Sequence, residues 1–156
     1  MELTIPGRGT YHLAHLVLDV NGTVAVGGQL IDGVRERLQT LREGGLEVHW
    51  ITADTRGLQA ALDKAMGWAA VRIRTAGHQG EAEQKAAFVR DLGSETVVTV
   101  GNGANDAAML GEAVLGVAIL GPEGLALDAL QAADVVAPDI LAALDLLLDP
   151  SRLIAT

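Results

Sequence analysis

Residues 16–24 read LVLDVNGTV. Leu16, Val17 and Leu18 form an apolar run that stops at one acid, Asp19, and Asn21-Gly22 follows at once. A short apolar run bounded by turn residues predicts a buried strand, with Asp19 at the lip of a sheet and a tight turn beneath it. In open α/β sheets, ligands bind at the carboxyl ends of the strands. An aspartate there can be a nucleophile that forms an aspartyl-phosphate, a ligand for a hard cation, or both. It can also do no more than open a turn. On this stretch alone the plain turn is the stronger reading, and the rest of the chain changes the balance.

Outward from this stretch, strand and helix patterns alternate. Residues 2–13 read as a hairpin around Pro6-Gly7-Arg8-Gly9, expected to add strands at an edge of the sheet. Residues 20–28 are Gly-rich and irregular, and a helix is expected over 31–42, where Ile31, Val34, Leu38 and Leu41 recur before Gly44-Gly45. A second strand over 46–51 ends at Thr52-Ala53-Asp54-Thr55. Leu58, Ala61, Leu62 and Ala65 mark a helix closed by Gly67, and a strand over 69–73 leads to a loop at 77–80. A helix over 81–92 and a strand over 96–100 come next, the strand closing on Gly101-Asn102-Gly103-Ala104-Asn105-Asp106. A helix from 107, a strand over 114–120, a helix over 123–132, a strand over 134–136 and a helix over 138–148 complete the pattern. The alternation predicts an α/β fold, a Rossmann-like parallel sheet with helices on both faces. With no charge block, repeat or linker, residues 1–156 read as one domain.

Apolar residues make up 49% of the chain and aromatic ones 3%, so the core is built from Ala, Val, Leu and Ile. Eleven basic residues against 20 acidic ones give a net charge of −9, which argues against a nucleic-acid surface or an anionic membrane as partner. The absence of cysteine excludes disulfides and thiolate catalysis. No basic segment with an apolar core opens the sequence, and the longest run without a charged residue, 20–31, is too short to span a bilayer. A soluble cytoplasmic protein is expected. His12, His15, His49 and His78 show no metal-ligand spacing, and His49 reads as a core residue of a buried strand.

Four polar points punctuate the pattern. Asp19 closes the first core strand, Thr52 the second, and Asn102 and Asp106 follow the strand over 96–100. In a doubly wound sheet these strand ends can converge on one crevice. The fourth point is Lys85, with Phe88, Val89 and Leu92 at +3, +4 and +7 on the same helical face. The set is coherent for phosphoryl transfer, where a cation and a lysine offset the phosphoryl charge while a hydroxyl and backbone N–H groups hold the oxygens. Asp19 supplies the attacking oxygen in this reading. Mg²⁺ sits on Asp19, the backbone carbonyl of Asn21, and Asn102 or Asp106. Thr52, the backbone at Ala53 and Gly22, and Lys85 bind phosphate, with Asn105 adding a donor at a helix start. Each point also has a plain reading: turn chemistry for Thr52, a solvated lysine for Lys85, and a helix N-cap for Asn105-Asp106.

The order DVNGT, TADT, a lysine in a helix, then GNGANDAAML resembles the four motifs of the haloacid dehalogenase superfamily. Within it, the chain is most similar to the phosphorylation domain of P-type ATPases and its soluble likenesses, whose motifs read D-K-T-G-T and G-D-G-x-N-D. Asp19, Gly22 and Thr23 match the first, and Gly101, Gly103, Asn105 and Asp106 the second. The resemblance spans roughly residues 16–136. It implies a sheet of about five or six strands, a phosphorylated nucleophile at Asp19, phosphate ligands at Thr52 and Lys85, and a magnesium-site residue at Asp106. The gaps from Asp19 to Thr52 and from Thr52 to Lys85 are too short for a cap domain or an ATP-binding insertion. A capless member with an open site is expected, one that another subunit of a homo-oligomer can cover.

Two positions depart from the pattern. Phosphatases of the superfamily usually read D-x-D, the second acid protonating the leaving group and then activating water; here that position is Asn21, which cannot exchange a proton. Asn102 stands where the pattern has Asp and brings a metal no charge. Two functions are therefore weighed: a Mg²⁺-dependent phosphohydrolase or phosphotransferase working slowly through phospho-Asp19 on a small phosphorylated substrate, and a phosphate- and Mg²⁺-binding module with little or no turnover. An ion pump, the third reading, fails for want of membrane spans and a nucleotide-binding insertion.

Overall fold

A computed structural model of the chain describes residues 1–53, 57, 59–73 and 80–154. Strands β1 (Glu2–Ile5) and β2 (Gly9–His12) pair antiparallel, and Leu3 and Ile5 point into the core on alternate positions. This hairpin does not extend an edge of the main sheet, as the sequence led us to expect; it forms a two-stranded sheet of its own. The reason is the link that follows. Only Leu13 and Ala14 separate β2 from β3 (His15–Asp19), and β3 is a central strand. Two residues reach about 7 Å, whereas either edge lies at least two strand spacings of about 4.8 Å away. The hairpin instead rests at the amino-terminal end of the strands, where Ala14 N–H donates to the Thr96 carbonyl.

After β3 the chain turns back on itself. The Val20 carbonyl accepts from the N–H groups of Thr23, Val24 and Ala25. A small hairpin follows, β4 (Ala25–Val26) and β5 (Gln29–Leu30), turning at Gly27 and Gly28 with φ of 58° and 79°. Two positive φ values at a two-residue turn are the demand that glycine meets. Helix α1 (Val34–Glu43) begins three residues later than its apolar period implied, because Gly33 with φ of 86° holds the chain out of helix.

The remaining elements are β6 (Glu47–Thr52), α2 (Gln59–Met66), β7 (Val71–Arg72), α3 (Glu81–Leu92), β8 (Val97–Gly101), α4 (Ala107–Glu112), β9 (Leu115–Ile119), α5 (Leu127–Ala132), β10 (Val135–Ala137) and α6 (Ile140–Leu148). Six strands form one parallel sheet in the order β10-β9-β8-β3-β6-β7. Helices α1 and α6 pack together on one face, and α3, α4 and α5 on the other. Gly124, at φ of 88°, keeps residues 123–126 out of the helix expected from 123.

Side-chain alternation along β3 decides where the chemistry goes. Leu16 and Leu18 join Leu38, Val98, Val100 and Leu144 in the core under α1 and α6. Val17 faces the other way, into a cluster with Ile51, Val89, Val97 and Met109 under α3 and α4. Asp19, two residues on, shares the face of Val17. Of the C-terminal leucines, Leu144 and Leu147 are buried in the core, while Leu148 is exposed. No helix among the described residues is long and apolar enough to cross a membrane.

Candidate active site

Asp19, Thr52 and Asn102 stand at the carboxyl ends of β3, β6 and β8, which are neighbours in the sheet. All three are buried. Lys85 lies in the second turn of α3, has no solvent exposure, and reaches across to Asp19. Its Nζ donates to Asp19 Oδ1 at 2.6 Å and to Asp106 Oδ1 at 2.7 Å, with Glu81 Oε1 at 3.2 Å. One ammonium thus faces three carboxylates.

This imbalance sets the electrostatics. Burial, with the negative charge of Asp106, pushes the Asp19 carboxyl from 3.8 up to about 7, against the pull of Lys85. Burial alone would lower the Lys85 ammonium, but Asp19 and Asp106 outweigh it and hold the pKa above its ordinary value. The common element is an excess of acid over base: burial and Asp106 raise Asp19, while the two carboxylates raise Lys85 against its burial.

Asp106 is fixed before it meets the lysine. Its Oδ2 accepts from the N–H groups of Asn102 at 3.0 Å and Gly103 at 2.8 Å. It makes no side-chain cap on α4, so the N-cap reading of Asp106 gives way to a bond backward to the strand end. Gly101 permits this approach, since a Cβ there would meet Asp106 Cβ and Cγ at 2.7 Å. Asn102 is held on both sides: Oδ1 accepts from Thr23 Oγ1 at 3.2 Å, and Nδ2 donates to the Gly124 carbonyl at 3.0 Å.

The pocket mouth is formed by the turn after β3. Asn21 is exposed there, and its backbone bridges to Ala25. Gly22, expected as a phosphate donor, gives its N–H to the Ala25 carbonyl at 2.8 Å instead, because the turn needs that bond to close. What Gly22 contributes is space: a Cβ would lie 2.9 Å from Glu123 Oε2 and 3.0 Å from Asn102 Nδ2. Ala53 is half-buried beside Thr52, and Asn105 Nδ2 donates to Glu81 Oε1 at 2.7 Å. Asp54 and Thr55 of the second motif lie outside the described residues.

Comparison with known proteins gives this arrangement a frame. No protein-family model matches the sequence. An uncharacterized protein of Methanocaldococcus jannaschii is 44% identical over 43 residues, 28% of this chain and 96% of that protein. The 3-deoxy-D-manno-octulosonate 8-phosphate phosphatase of Moraxella catarrhalis, solved with magnesium, phosphate and KDO, superposes with a TM-score of 0.67 at 18% identity, covering 92% of this chain and 90% of that one. The cobalt-bound deoxy-D-mannose-octulosonate 8-phosphate phosphatase of Haemophilus influenzae gives 0.69 at 10% identity over 92% and 90%. A zinc-transporting PIB-type ATPase in its E2.Pi state gives 0.63 at 22% identity over 81% of this chain and 20% of the pump.

The chain has the haloacid dehalogenase fold.

Within the haloacid dehalogenase fold, the oxygen donors of this chain fit a hard divalent cation. Asp19 and Asp106 could provide carboxylates and Asn102 an amide oxygen, and the excess of acid over base leaves positive charge to be supplied. Asp106 has only one of its four acceptor positions left after Lys85, Asn102 and Gly103. Three residues at the site were not anticipated. Glu81 opens the helix expected over 81–92; its i,i+4 spacing to Lys85 is a signal that could have marked that pair, whereas nothing local marks Asn105 as its second partner. Thr23 enters the sequence reading only as a motif match, and the apolar residues after it, Val24 to Val26, give no sign that it holds Asn102. Glu123 had been placed in a helix.

Proposed function

We propose that the chain is a Mg²⁺-dependent phosphohydrolase or phosphotransferase that works through an aspartyl-phosphate on Asp19. The observation that carries the reading is the buried Lys85 ammonium 2.6 Å from Asp19 at the end of a central strand. A lysine dehydrated at this depth needs an anionic role to justify it. The fold shared with phosphatases solved with magnesium, phosphate or cobalt supports the same conclusion.

The roles follow from position. An Asp19 oxygen attacks phosphorus in line, and the bond from phosphorus to the leaving oxygen breaks. Lys85, with the Thr52 hydroxyl and the backbone at Ala53, steadies the phosphoryl oxygens, and Asn105 stands at the rim. Asp106 fixes Lys85. Asp19, the Asn21 carbonyl and Asn102, with the one free position on Asp106, would hold Mg²⁺, which when bound neutralises phosphoryl charge. We read residues 1–156 as one domain without a cap, located in the cytoplasm.

Asn21 limits the rate. It cannot give a proton to the leaving oxygen or take one from water, and losing a positioned acid–base group costs ~10²–10⁴-fold. The substrate class is therefore small phosphates with good leaving groups, acyl phosphates first, and the phosphoenzyme is long-lived. The test is hydrolysis of acetyl phosphate and p-nitrophenyl phosphate with Mg²⁺, wild type beside Asp19→Asn. Turnover lost in the variant is the expected result, and equal rates in both proteins would overturn the reading.

A second reading, a phosphate- and Mg²⁺-binding module with little turnover, is favoured by one observation. Asn102 and Asn21 both stand where acids would serve the chemistry, and Asn102 is already engaged by Thr23 and Gly124. A mass increase on Asp19 after incubation with acetyl phosphate supports the enzyme; tight Mg²⁺ and phosphate binding without that adduct supports the module.

A further inference from the structure

The far end of β3 carries a second cluster. Parallel pairing sets His15 opposite Glu47 and Val17 opposite His49, so His15, Glu47 and His49 share one face of two adjacent strands. His49 Nε2 lies 3.3 Å from His15 Nδ1, and His15 Nδ1 lies 3.1 Å from Glu47 Oε2. The three ligand atoms all fall within 4.8 Å of one another. Phe88 of α3 stands edge-on to His49, its ring centre 5.4 Å away, and fixes the imidazole plane. The cluster starts β3 and Asp19 ends it, about 13 Å apart along the strand.

These contacts cannot all be full hydrogen bonds at once. If His15 Nδ1 accepts from His49, its lone pair also faces the Glu47 carboxylate, which has only lone pairs to offer. If Nδ1 carries a proton, that proton must be divided between His49 and Glu47. A cation removes the conflict, because all three atoms then present lone pairs to it. The separations suit this. Zinc bonds to imidazole nitrogen and carboxylate oxygen are about 2.0–2.2 Å, so the edges of a tetrahedron around zinc are about 3.3–3.5 Å.

We propose that His15, Glu47 and His49 bind a borderline divalent transition-metal ion of the zinc, nickel and copper class, separate from the phosphoryl pocket. Two imidazoles select this class, whereas the all-oxygen set near Asp19 selects Mg²⁺. Glu47, with 70% of its side chain exposed, opens the cluster to solvent and leaves water to complete the coordination. The bound ion ties the amino-terminal ends of β3 and β6 together and stabilises the folded chain by mass action.

The test is calorimetric titration of the untagged full chain with Zn²⁺ in excess Mg²⁺, for wild type, Glu47→Gln, His49→Gln and Asp19→Asn. The expected result is one zinc per wild-type chain, binding weakened about tenfold or more in Glu47→Gln and His49→Gln, and unchanged stoichiometry in Asp19→Asn. Glu47→Gln lies at the surface and keeps the test decisive should His49→Gln fail to fold. Cobalt substitution adds a readout: a visible ligand-field spectrum present in wild type and lost in Glu47→Gln. Absence of zinc uptake, equal affinity in wild type and Glu47→Gln, or uptake lost in Asp19→Asn would each overturn the proposal.

Discussion

Lys85 Nζ lies 2.7 Å from Asp106 Oδ1, and neither side chain has more than 1% of its surface exposed. The contact links the helix after the second motif to the strand end of the last, so the two halves of the pocket cannot move apart without stranding a buried charge.

Lys85→Met should therefore act on stability and chemistry together. It leaves Asp19 and Asp106 facing each other without their cation, a loss of about 3–5 kcal/mol for one member of a buried ionic set. Urea unfolding in EDTA would register it as a lower midpoint with the same slope. Added Mg²⁺ should restore part of that stability and none of the Asp19 adduct.

Asn21→Asp should raise turnover. The new carboxyl stands at the exposed mouth of the pocket, able to protonate a leaving oxygen and then to accept a proton from water. The expected gain on p-nitrophenyl phosphate is ~10²–10⁴-fold, with release of the phosphoryl group from Asp19 accelerated. Rapid-quench trapping of the phosphoenzyme would check it: a stable adduct in wild type and a transient one in the variant.

Gly101→Ala should damage the site while the fold survives. The added methyl would lie 2.7 Å from the Asp106 side chain, which must shift and take Lys85 with it. The overpacking cost is about 1–3 kcal/mol. Circular dichroism should be retained, and adduct formation on Asp19 should fall at least tenfold, as misplaced catalytic groups commonly produce.

Asp63 gives a pH dependence remote from the chemistry. Burial alone would raise its pKa, but hydrogen bonds from Arg72 and Gln59 and from the Ala70 N–H hold it below 3.8. A depressed folded-state pKa contributes stability above the unfolded value, and that contribution disappears as pH falls through the folded value. Thermal unfolding of wild type beside Asp63→Asn should therefore differ most at neutral pH and converge below about pH 4. A gap that widens on acidification would contradict the assignment.

Much of this molecule was legible in its sequence. The apolar runs at 16–18 and 97–100 bounded by turn residues marked buried parallel strands, and the polar residues that end them marked the pocket. Lys85, on one helical face with Phe88, Val89 and Leu92, was legible as a candidate only together with the polar strand ends, since a lone lysine there also reads as solvated. Other parts left no local trace. Strands β4 and β5 are two residues each, too short to show a period. The separate N-terminal sheet follows from which strand is central, a fact of topology. Glu81 has an adequate local explanation at a helix start, which concealed its contact with Lys85. His15 and His49 meet across 34 positions only because of the register between β3 and β6. Pairing register is a property of two segments, and neither segment states it alone.

Strand β3 works as a ruler. His15, Val17 and Asp19 point to one side and Leu16 and Leu18 to the other, with His15 at one end and the pocket carboxylate at the other. Inserting or deleting one residue between them would turn the carboxylate toward α1 and α6 and bring a leucine to Lys85. The segment is thus closed to length variation, while the turns at Gly27-Gly28 and around Gly45 can grow without touching the phase of the strand. Insertions engineered or selected into this chain should accumulate in those turns and spare residues 15–19.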